Sequence, residues 1–241
     1  MAGRLAPVDS DAPGLQAAGT ETPEIPWREL PVIILHHLNN SRSQRILWLM
    51  EELNIPYRIE RYQRDAKTNL APPELRAIHP LGKSPVIQDG DLLLAESGAI
   101  IEYLVDRYGK GQLIPQRGTQ EHIRYLHWLH FAEGTIMLHL VGRLYLTRVG
   151  EAAKAMQGRV EGMIQAELDL VEAELGRSAY LAGPEFSAAD VQMMFPLEFA
   201  LHAGLAGERH TRLRDYVGRM QARPAYRRAL EAGGAYAYGG S

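Results

Sequence analysis

Strand-like patterns occur only in the first half of this chain, and their spacing limits the folds it can adopt. Residues 32–38 (VIILHHL) form an apolar run typical of a buried strand, and residues 57–62 (YRIERY) alternate as a second strand does. Between them, apolar residues recur at helical spacing over residues 43–54. A helix that joins two strands through short links favours a parallel β-α-β unit.

A hairpin and another helix complete this half of the chain. Asp89-Gly90 separates two apolar runs within residues 85–95, which is a strong signal for a β-hairpin. A short helical segment precedes the hairpin, and an apolar helix face follows it over residues 97–108. Residues 30–110 are therefore predicted to form an α/β domain with the element order β-α-β-α-β-β-α.

The second half of the chain carries helical patterns alone. Residues 111–118 have the composition of a linker, and residues 119–235 are predicted to form an all-α domain. Before one of its helices, Ser187 and Asp190 have the spacing of a capping box, in which each side chain bonds the backbone of the other residue. We interpret this pair as a folding element rather than a catalytic one.

Composition restricts the function classes. The 241 residues carry a formal net charge of −3, which favours neither nucleic acid nor an anionic membrane as a partner. No apolar run approaches the roughly 18 residues of a membrane-spanning helix. Cysteine is absent, which excludes disulfides and, with no apolar signal segment, leads us to expect a cytoplasmic protein. The segments 1–29 and 236–241 are rich in small residues and are predicted to be flexible tails.

A polar cluster separates the first predicted strand from the first helix. Asn39, Asn40, Ser41, Arg42 and Ser43 follow the apolar strand directly, and the helical pattern starts at once. In an open α/β sheet, the carboxyl ends of strands and the amino ends of helices line the ligand crevice. The 39–43 cluster, as we call these five residues, is therefore a candidate binding element.

Two further motifs lie at the same kind of boundary. Ser84-Pro85 starts the third strand, and two interpretations fit this proline. The peptide bond is cis and frees the Ser84 backbone to pair with an extended peptide, or the residue is an ordinary proline of an edge strand. Glu96-Ser97 starts the third helix, where Ser97 is well placed to cap. The helix N–H groups attract a carboxylate while Glu96 attracts an ammonium group; a plain cap with a solvated Glu96 is the simpler local interpretation. Together with the cluster, these motifs suit a small peptide with a free α-amino acid end.

The chain resembles the cytosolic glutathione transferases over roughly residues 31–232. HPLGKSPVI resembles the proline-turn motif of that family, LLLAESGAIIEYL its Glu-Ser motif, and FSAAD the capping box of its helical domain. SRSQRILWLMEEL and APPELRAIHPLGKSP look closest to theta-related bacterial and fungal enzymes with a hydroxyl-type active site. The resemblance implies a thioredoxin-like domain followed by a helical domain, with glutathione as the co-substrate.

The resemblance also implies roles for single residues. Ser41, four residues before Arg45, would donate a hydrogen bond to the glutathione sulfur, and Asn39 or Asn40 would take this role if the register differs. The glutathione-binding residues that it implies beside Ser41 are Ser43, Lys83, Ser84, a cis Pro85, Glu96 and Ser97. Lys83 would contact the glycine carboxylate, and Glu96 and Ser97 would hold the γ-glutamyl end.

We therefore predict an enzyme that activates the glutathione thiol for conjugation to a small hydrophobic electrophile or for reduction of a hydroperoxide. The absence of cysteine argues against glutaredoxin-like relatives, whose own thiol lies at this turn. A non-catalytic binding or regulatory module of the same fold is the alternative. The intact set of Ser41, Lys83, Glu96 and Ser97 argues against that alternative.

The resemblance also implies a second-substrate pocket along the first helix of the second domain. Its candidate residues are His127, His130, Phe131 and Met137. Core packing explains the aromatic residue and the methionine equally well. No carboxylate or cysteine set completes a metal site around the histidines, so no metal is expected.

A symmetric homodimer is expected, partly because the resembling family is usually dimeric. The helix at residues 97–108 and the first long helix of the second domain, with Ile123 and Leu138, carry more apolar residues than one packing face needs. Burial of both extra faces within one chain is the alternative.

Overall fold

A computed structural model describes residues 32–239, so the predicted tail at residues 1–29 lies outside the described residues. The first half forms a four-stranded sheet in the order β2-β1-β3-β4. The strands are β1 (Ile33–Leu38), β2 (Tyr57–Tyr62), β3 (Val86–Asp89) and β4 (Leu92–Ala95). β1 pairs parallel with β2 and antiparallel with β3, and β3 pairs antiparallel with β4. The predicted β-α-β unit and the hairpin are confirmed.

Helices α1 (Ser43–Glu52), α2 (Glu74–Ile78) and α3 (Ser97–Tyr108) complete the first half. α1 packs against β1 on one side and against helices of the second half on the other, so every residue from Ser43 to Met50 is buried. It ends two residues before the predicted end at residue 54, because Asn54 has a positive φ of 53° that a right-handed helix does not accept. β1 thus leads through the 39–43 cluster into a fully buried helix.

Helices are the only regular secondary structure of the second half within the described residues. Its helices are α4 (Gln120–Phe131), α5 (Met137–Val149), α6 (Lys154–Leu175), α7 (Ala188–His202), α8 (Thr211–Gln221) and α9 (Pro224–Gly233). A π-helical turn, Ala132–Ile136, joins α4 to α5. An α/β domain followed by an all-α domain is therefore confirmed. Within residues 32–239, no helix has the length and apolar character needed to cross a membrane.

α7 is buried along nearly its whole length, and the predicted capping box starts it. The Ser187 N–H donates to Asp190 Oδ2 at 2.8 Å, and the Tyr216 hydroxyl donates to Oδ1 at 2.7 Å. Burial raises the pKa of Asp190, and these hydrogen bonds oppose that shift. The pair therefore serves folding, as the sequence indicated.

The apolar face of α3 is covered by the chain itself. Ile100, Ile101 and Leu104 are 0% exposed, because α3 packs against α1 and α7. The expectation of spare apolar surface on α3 is therefore wrong. Ile123 of α4 and Leu138 of α5 do remain exposed, at 59% and 63%.

Residues 234–239, hereafter the C-terminal segment, pack on the helical half and differ here from the flexible tail predicted for 236–241. The Tyr236 hydroxyl donates to Glu198 Oε2 at 2.8 Å. The Tyr238 ring lies 5.7 Å from that of Phe195 and 5.6 Å from that of Phe199. The hydroxyl of Tyr236 and the ring of Tyr238 thus hold the segment by the two kinds of contact that a tyrosine can make. Residues 240 and 241 lie outside the described part of the chain.

Candidate active site at the carboxyl end of β1

The 39–43 cluster forms the tight connection between β1 and α1. Ser41 is 4% exposed, and its Oγ lies 2.8 Å from the Oγ of Ser43 and accepts the Ser43 N–H at 3.2 Å. The Ser43 Oγ also lies 2.8 Å from Nδ1 of His37 on β1. Ser41, the predicted thiol ligand, is thus held at the start of α1 by short contacts within the cluster.

The two asparagines of the cluster bond to other segments. Asn39 Oδ1 accepts the backbone N–H of Arg64 at 2.8 Å, and the Arg64 Nε donates to the Asn39 carbonyl at 3.2 Å. Asn40 Oδ1 accepts the N–H of Ala237 at 2.7 Å. Asn40 has a positive φ of 49°, which asparagine tolerates better than most residues. The asparagine oxygens therefore fasten the cluster to the chain after β2 and to the C-terminal segment.

Ser84 lies beside the cluster. The peptide bond between Ser84 and Pro85 is cis. The Ser84 hydroxyl donates to the His36 carbonyl at 2.7 Å and accepts the Leu38 N–H at 3.2 Å. These two bonds attach the start of β3 to the last residues of β1, so Ser84 lies next to the residue at which the cluster begins.

Glu96 and Ser97 start α3, but the cap differs from the prediction. Glu96 rather than Ser97 is the N-cap residue, and no side-chain hydrogen bond caps the helix. Glu96 has a positive φ of 71°, a strained conformation for a residue other than glycine. Its side chain is exposed, whereas Ser97 is 4% exposed. Such strain is common where a ligand is bound.

Arg45 connects the cluster to α3 and to the helical half. Its Nη2 donates to the Ser97 Oγ at 3.1 Å, and its Nη1 donates to the Gln192 carbonyl at 2.5 Å. It also pairs with Glu133, whose carboxylate accepts from the Arg42 Nε at 2.8 Å. Burial lowers the pKa of Arg45, and the nearby Glu133 opposes this. The guanidinium therefore fixes α1, α3 and the π-helical turn relative to one another.

A cleft of about 390 Å³ opens on the β2 side of the cluster. Its lining consists of His37, Asn39, Asn40, Arg61, Tyr62, Gln63 and residues 233–237. Ser84 and Ser97 do not line it, because they lie where β3 begins and where β4 ends. The 39–43 cluster thus separates this cleft from the other predicted glutathione residues.

Comparison with known proteins identifies the family. The family model of the glutathione S-transferase N-terminal domain matches residues 30–106 of the sequence. The family model of the C-terminal domain matches residues 131–224. Glutathione S-transferase 3 of Schizosaccharomyces pombe is 34% identical to this chain over 83% of the chain and 87% of its own length. The chain belongs to the glutathione S-transferase family.

Solved structures agree with this assignment. A glutathione S-transferase of Actinobacillus pleuropneumoniae is 33% identical to this chain and superposes on it with a TM-score of 0.76. The match covers 83% of this chain and 92% of that protein. A glutathione transferase family member of Pseudomonas fluorescens with two glutathione bound has a TM-score of 0.72, and the match again covers 83% of this chain and 92% of that protein. Because the two sequences are only 23% identical, this similarity shows the fold alone. The predicted glutathione transferase is confirmed, whereas the theta-related subtype remains a prediction.

The predicted second-substrate residues of this transferase do not lie on the cleft. His127 and His130 are exposed on α4, whereas Phe131 and Met137 are buried. The rings of His127 and Phe131 stack with their centroids 5.7 Å apart. Their role in substrate binding therefore remains a prediction. Among residues 32–239, no group of three or more His, Asp or Glu side chains is arranged to hold a metal ion.

Sequence reasoning missed several residues that shape the site of this transferase. His37 lies within the predicted first strand and has no functional role in the sequence analysis, yet it is 3% exposed and bonds the cluster. Glu133 and Tyr236 come from elements far along the chain. The one available signal was the pair of adjacent histidines in β1, because a strand buried on both faces rarely carries two polar rings.

Proposed function

We propose that this transferase activates the thiol of glutathione at Ser41 and joins the thiolate to small hydrophobic electrophiles. The observation that supports this most is the convergence of Ser41, Ser84 and Ser97 near the carboxyl end of β1. A hydrogen bond from Arg45 near the amino end of α1 to Ser97 at the amino end of α3 connects these two helix ends, and helix amino ends favour negative charge. Glutathione is negatively charged at both carboxylates and, once activated, at sulfur.

The energetic requirement is modest. A free thiol has a pKa near 8.5, and only the thiolate is a strong nucleophile. Lowering that pKa by two units requires about 2.7 kcal/mol. One hydrogen bond to a charged group contributes about 1.5–3 kcal/mol, and a helix amino end adds about 0.3–1 kcal/mol. The Ser41 hydroxyl and α1 together therefore suffice.

The tripeptide has a natural orientation in this site. Lys83 and Glu96 are both exposed, at the start of β3 and of α3. Lys83 suits the glycine carboxylate, and Glu96 suits the γ-glutamyl ammonium group. The Ser97 Oγ accepts from Arg45, so its own proton stays available for the γ-glutamyl carboxylate.

A thiolate titration tests the proposal. Ser41→Ala should leave glutathione affinity nearly unchanged, raise the pKa of the bound thiol and lower kcat. The ultraviolet absorbance of bound thiolate, followed against pH, measures that pKa directly. Asn39→Ala and Asn40→Ala are the matched variants. If one of them shifts the titration and Ser41→Ala does not, the asparagine supplies the contact to sulfur.

The same assay separates the alternatives. Reduction of a hydroperoxide uses the same thiolate, so an electrophile panel that includes a hydroperoxide decides which reaction dominates. A non-catalytic module of this fold would bind glutathione without lowering its thiol pKa. Turnover of no electrophile, together with an unshifted thiol, would favour that module.

We also propose a homodimer in which part of α4 and α5 is covered by the second copy. Ile123, Leu138 and Tyr145 are 59%, 63% and 60% exposed, which is unusual for three large apolar side chains on two consecutive helices. A two-fold contact would remove such side chains from water in both copies.

A further inference from the structure

An unbroken chain of buried side chains runs from the proposed thiol site to the cleft. The Ser41 Oγ lies 2.8 Å from the Ser43 Oγ, which lies 2.8 Å from Nδ1 of His37. The three residues are 4%, 0% and 3% exposed. His37 lines the cleft on the β2 side of the 39–43 cluster. Ser41 is thereby connected through the cluster to a second opening.

The protonation state of His37 sets the direction of these hydrogen bonds. Burial lowers the pKa of His37 to about 4, helped by Arg61 of β2, while a backbone hydrogen bond to Gly233 opposes the shift. The ring is therefore neutral at pH 7. Because Nδ1 faces the Ser43 hydroxyl and the Gly233 backbone lies near the ring, we assign the ring proton to Nε2. Nδ1 is then an acceptor.

The two hydroxyls follow from this. A hydroxyl has one proton and two lone pairs. Two acceptors lie near the Ser43 hydroxyl, His37 Nδ1 at 2.8 Å and the Leu38 carbonyl at 3.4 Å. The nearer Nδ1 takes the Ser43 proton, so Ser43 accepts from Ser41. Ser41 therefore gives its proton to Ser43 and accepts the Ser43 N–H with one lone pair. Its remaining lone pair is available to a neutral thiol as an acceptor.

We propose that Ser41, Ser43 and His37 form a relay that removes the thiol proton of glutathione through the cluster to the cleft. This rests on the proposed function of Ser41. The thiol S–H and both serine O–H bonds break, and a new O–H forms on each serine and an N–H forms on Nδ1. The electron pair of the S–H bond stays on sulfur. No oxidant or reductant takes part.

The relay ends in a state that stabilises the thiolate. The imidazolium loses its Nε2 proton to water in the cleft, which leaves the neutral tautomer with its proton on Nδ1. His37 then donates to Ser43, Ser43 donates to Ser41, and Ser41 donates to sulfur. The direction of every bond is reversed. Ser43 and His37 act on the substrate through Ser41, so they are positioning residues of the site.

Stopped-flow absorbance of thiolate formation at pH 7 tests the relay on the full chain mixed with glutathione. Ser43→Ala and His37→Phe should form thiolate at least about tenfold more slowly than wild type, within the range of general base effects. His37→Asn should be equally slow, because its amide oxygen accepts from Ser43 but takes up no proton. Added imidazole should restore the rate of His37→Ala, and a merely structural role would not respond to it.

His36→Phe is the matched control, because His36 is also buried on β1 but its Nδ1 bonds Tyr62 at 2.9 Å instead of the cluster. It should form thiolate at the wild-type rate. Wild-type rates in Ser43→Ala and His37→Asn, together with loss of thiolate in Ser41→Ala, would overturn the relay and leave the proposed function standing. No thiolate in wild type would instead overturn the proposed function, and the relay with it.

Discussion

Tyr236→Phe removes one hydroxyl from the C-terminal segment and leaves its ring in place. That hydroxyl donates to Glu198, which is 3% exposed and also accepts from Gln221 at 3.0 Å and from Tyr226. Burial raises the pKa of Glu198 to about 7. Its carboxyl group is therefore mostly ionised at pH 8 and mostly protonated at pH 6.

The size of the effect follows from the charge on Glu198. A hydrogen bond to a charged group contributes about 1.5–3 kcal/mol, and a neutral one about 0.5–1.5 kcal/mol. The attachment of the C-terminal segment should therefore weaken by the larger amount at pH 8 and by the smaller amount at pH 6. Since 1.4 kcal/mol is a factor of ten in an equilibrium constant, detachment at pH 8 becomes about 10- to 100-fold more frequent.

Amide hydrogen exchange of Ala237 measures this attachment. Its N–H donates to Asn40 Oδ1 at 2.7 Å and is protected only while the segment is docked. Exchange at pH 8, corrected for the intrinsic rate, should be about 10- to 100-fold faster in Tyr236→Phe. Tyr238→Phe is the control, because the Tyr238 hydroxyl has no hydrogen-bond partner among residues 32–239 while its ring packs similarly. Equal exchange in Tyr236→Phe and wild type at pH 8 would refute the reasoning.

Four further predictions concern binding, stability and assembly. Lys83→Ala and Glu96→Ala should each weaken glutathione binding by about 1–3 kcal/mol, the contribution of a charge-assisted contact; wild-type affinity of both in calorimetry would exclude the proposed orientation. Arg45→Met should lower the free energy of unfolding in urea by about 3 kcal/mol, since Ser97, Gln192 and Glu133 lose a buried donor. Arg42 also pairs with Glu133 but its side chain is 32% exposed, so Arg42→Met should lower it by less than about 1 kcal/mol. Similar losses in the two variants would contradict the role given to Arg45. The pKa of Glu198 is about 7 in the folded protein and about 4.3 in the unfolded chain, so its contribution to stability is complete at low pH and is lost as the pH rises to 7. Relative to Glu198→Gln, the free energy of unfolding of wild type in urea should fall by about 3 kcal/mol between pH 4.5 and 7.5. Parallel pH profiles of the two proteins would disprove this. Light scattering at low micromolar concentration should give the mass of two chains, and a mass near 26.9 kDa would exclude the homodimer.

The elements of the first half were predictable because their signals are local. β1 is an inner strand of the sheet and is almost fully buried, so four of its six residues are apolar and its two histidines are buried as well. The hairpin depends on two adjacent residues, and Gly90 has the positive φ of 58° that its turn requires. The boundaries at Ser41, Ser84 and Ser97 were predictable for the same reason, since each motif lies within a few residues of a strand or helix end.

The rest of the site depends on residues that meet only in the folded chain. Arg45 bonds Glu133 and Gln192, which are 88 and 147 residues away in sequence. Tyr236 lies among small residues with no periodic pattern, and the buried carboxylate of Glu198, which is 38 residues away in sequence, accepts its hydroxyl. The expectation of a spare apolar face on α3 was wrong for the same reason. α7, about 90 residues further along the chain, covers that face, and a local sequence pattern carries no information about contacts at such a separation.

The π-helical turn Ala132–Ile136 sets the rotational phase between two consecutive helices. Such a turn is an α-helix with one residue inserted, and each residue of a helix advances its direction by about 100°. α4 and α5 thus form a single rod with an angular offset, and Glu133, in the offset, reaches Arg42 and Arg45. Deleting one residue from this turn would let α4 continue into α5 as a regular rod of almost the same length. The change would be one of phase rather than of size, and the faces that α4 presents to α7 and α5 presents to α6 could no longer both be met.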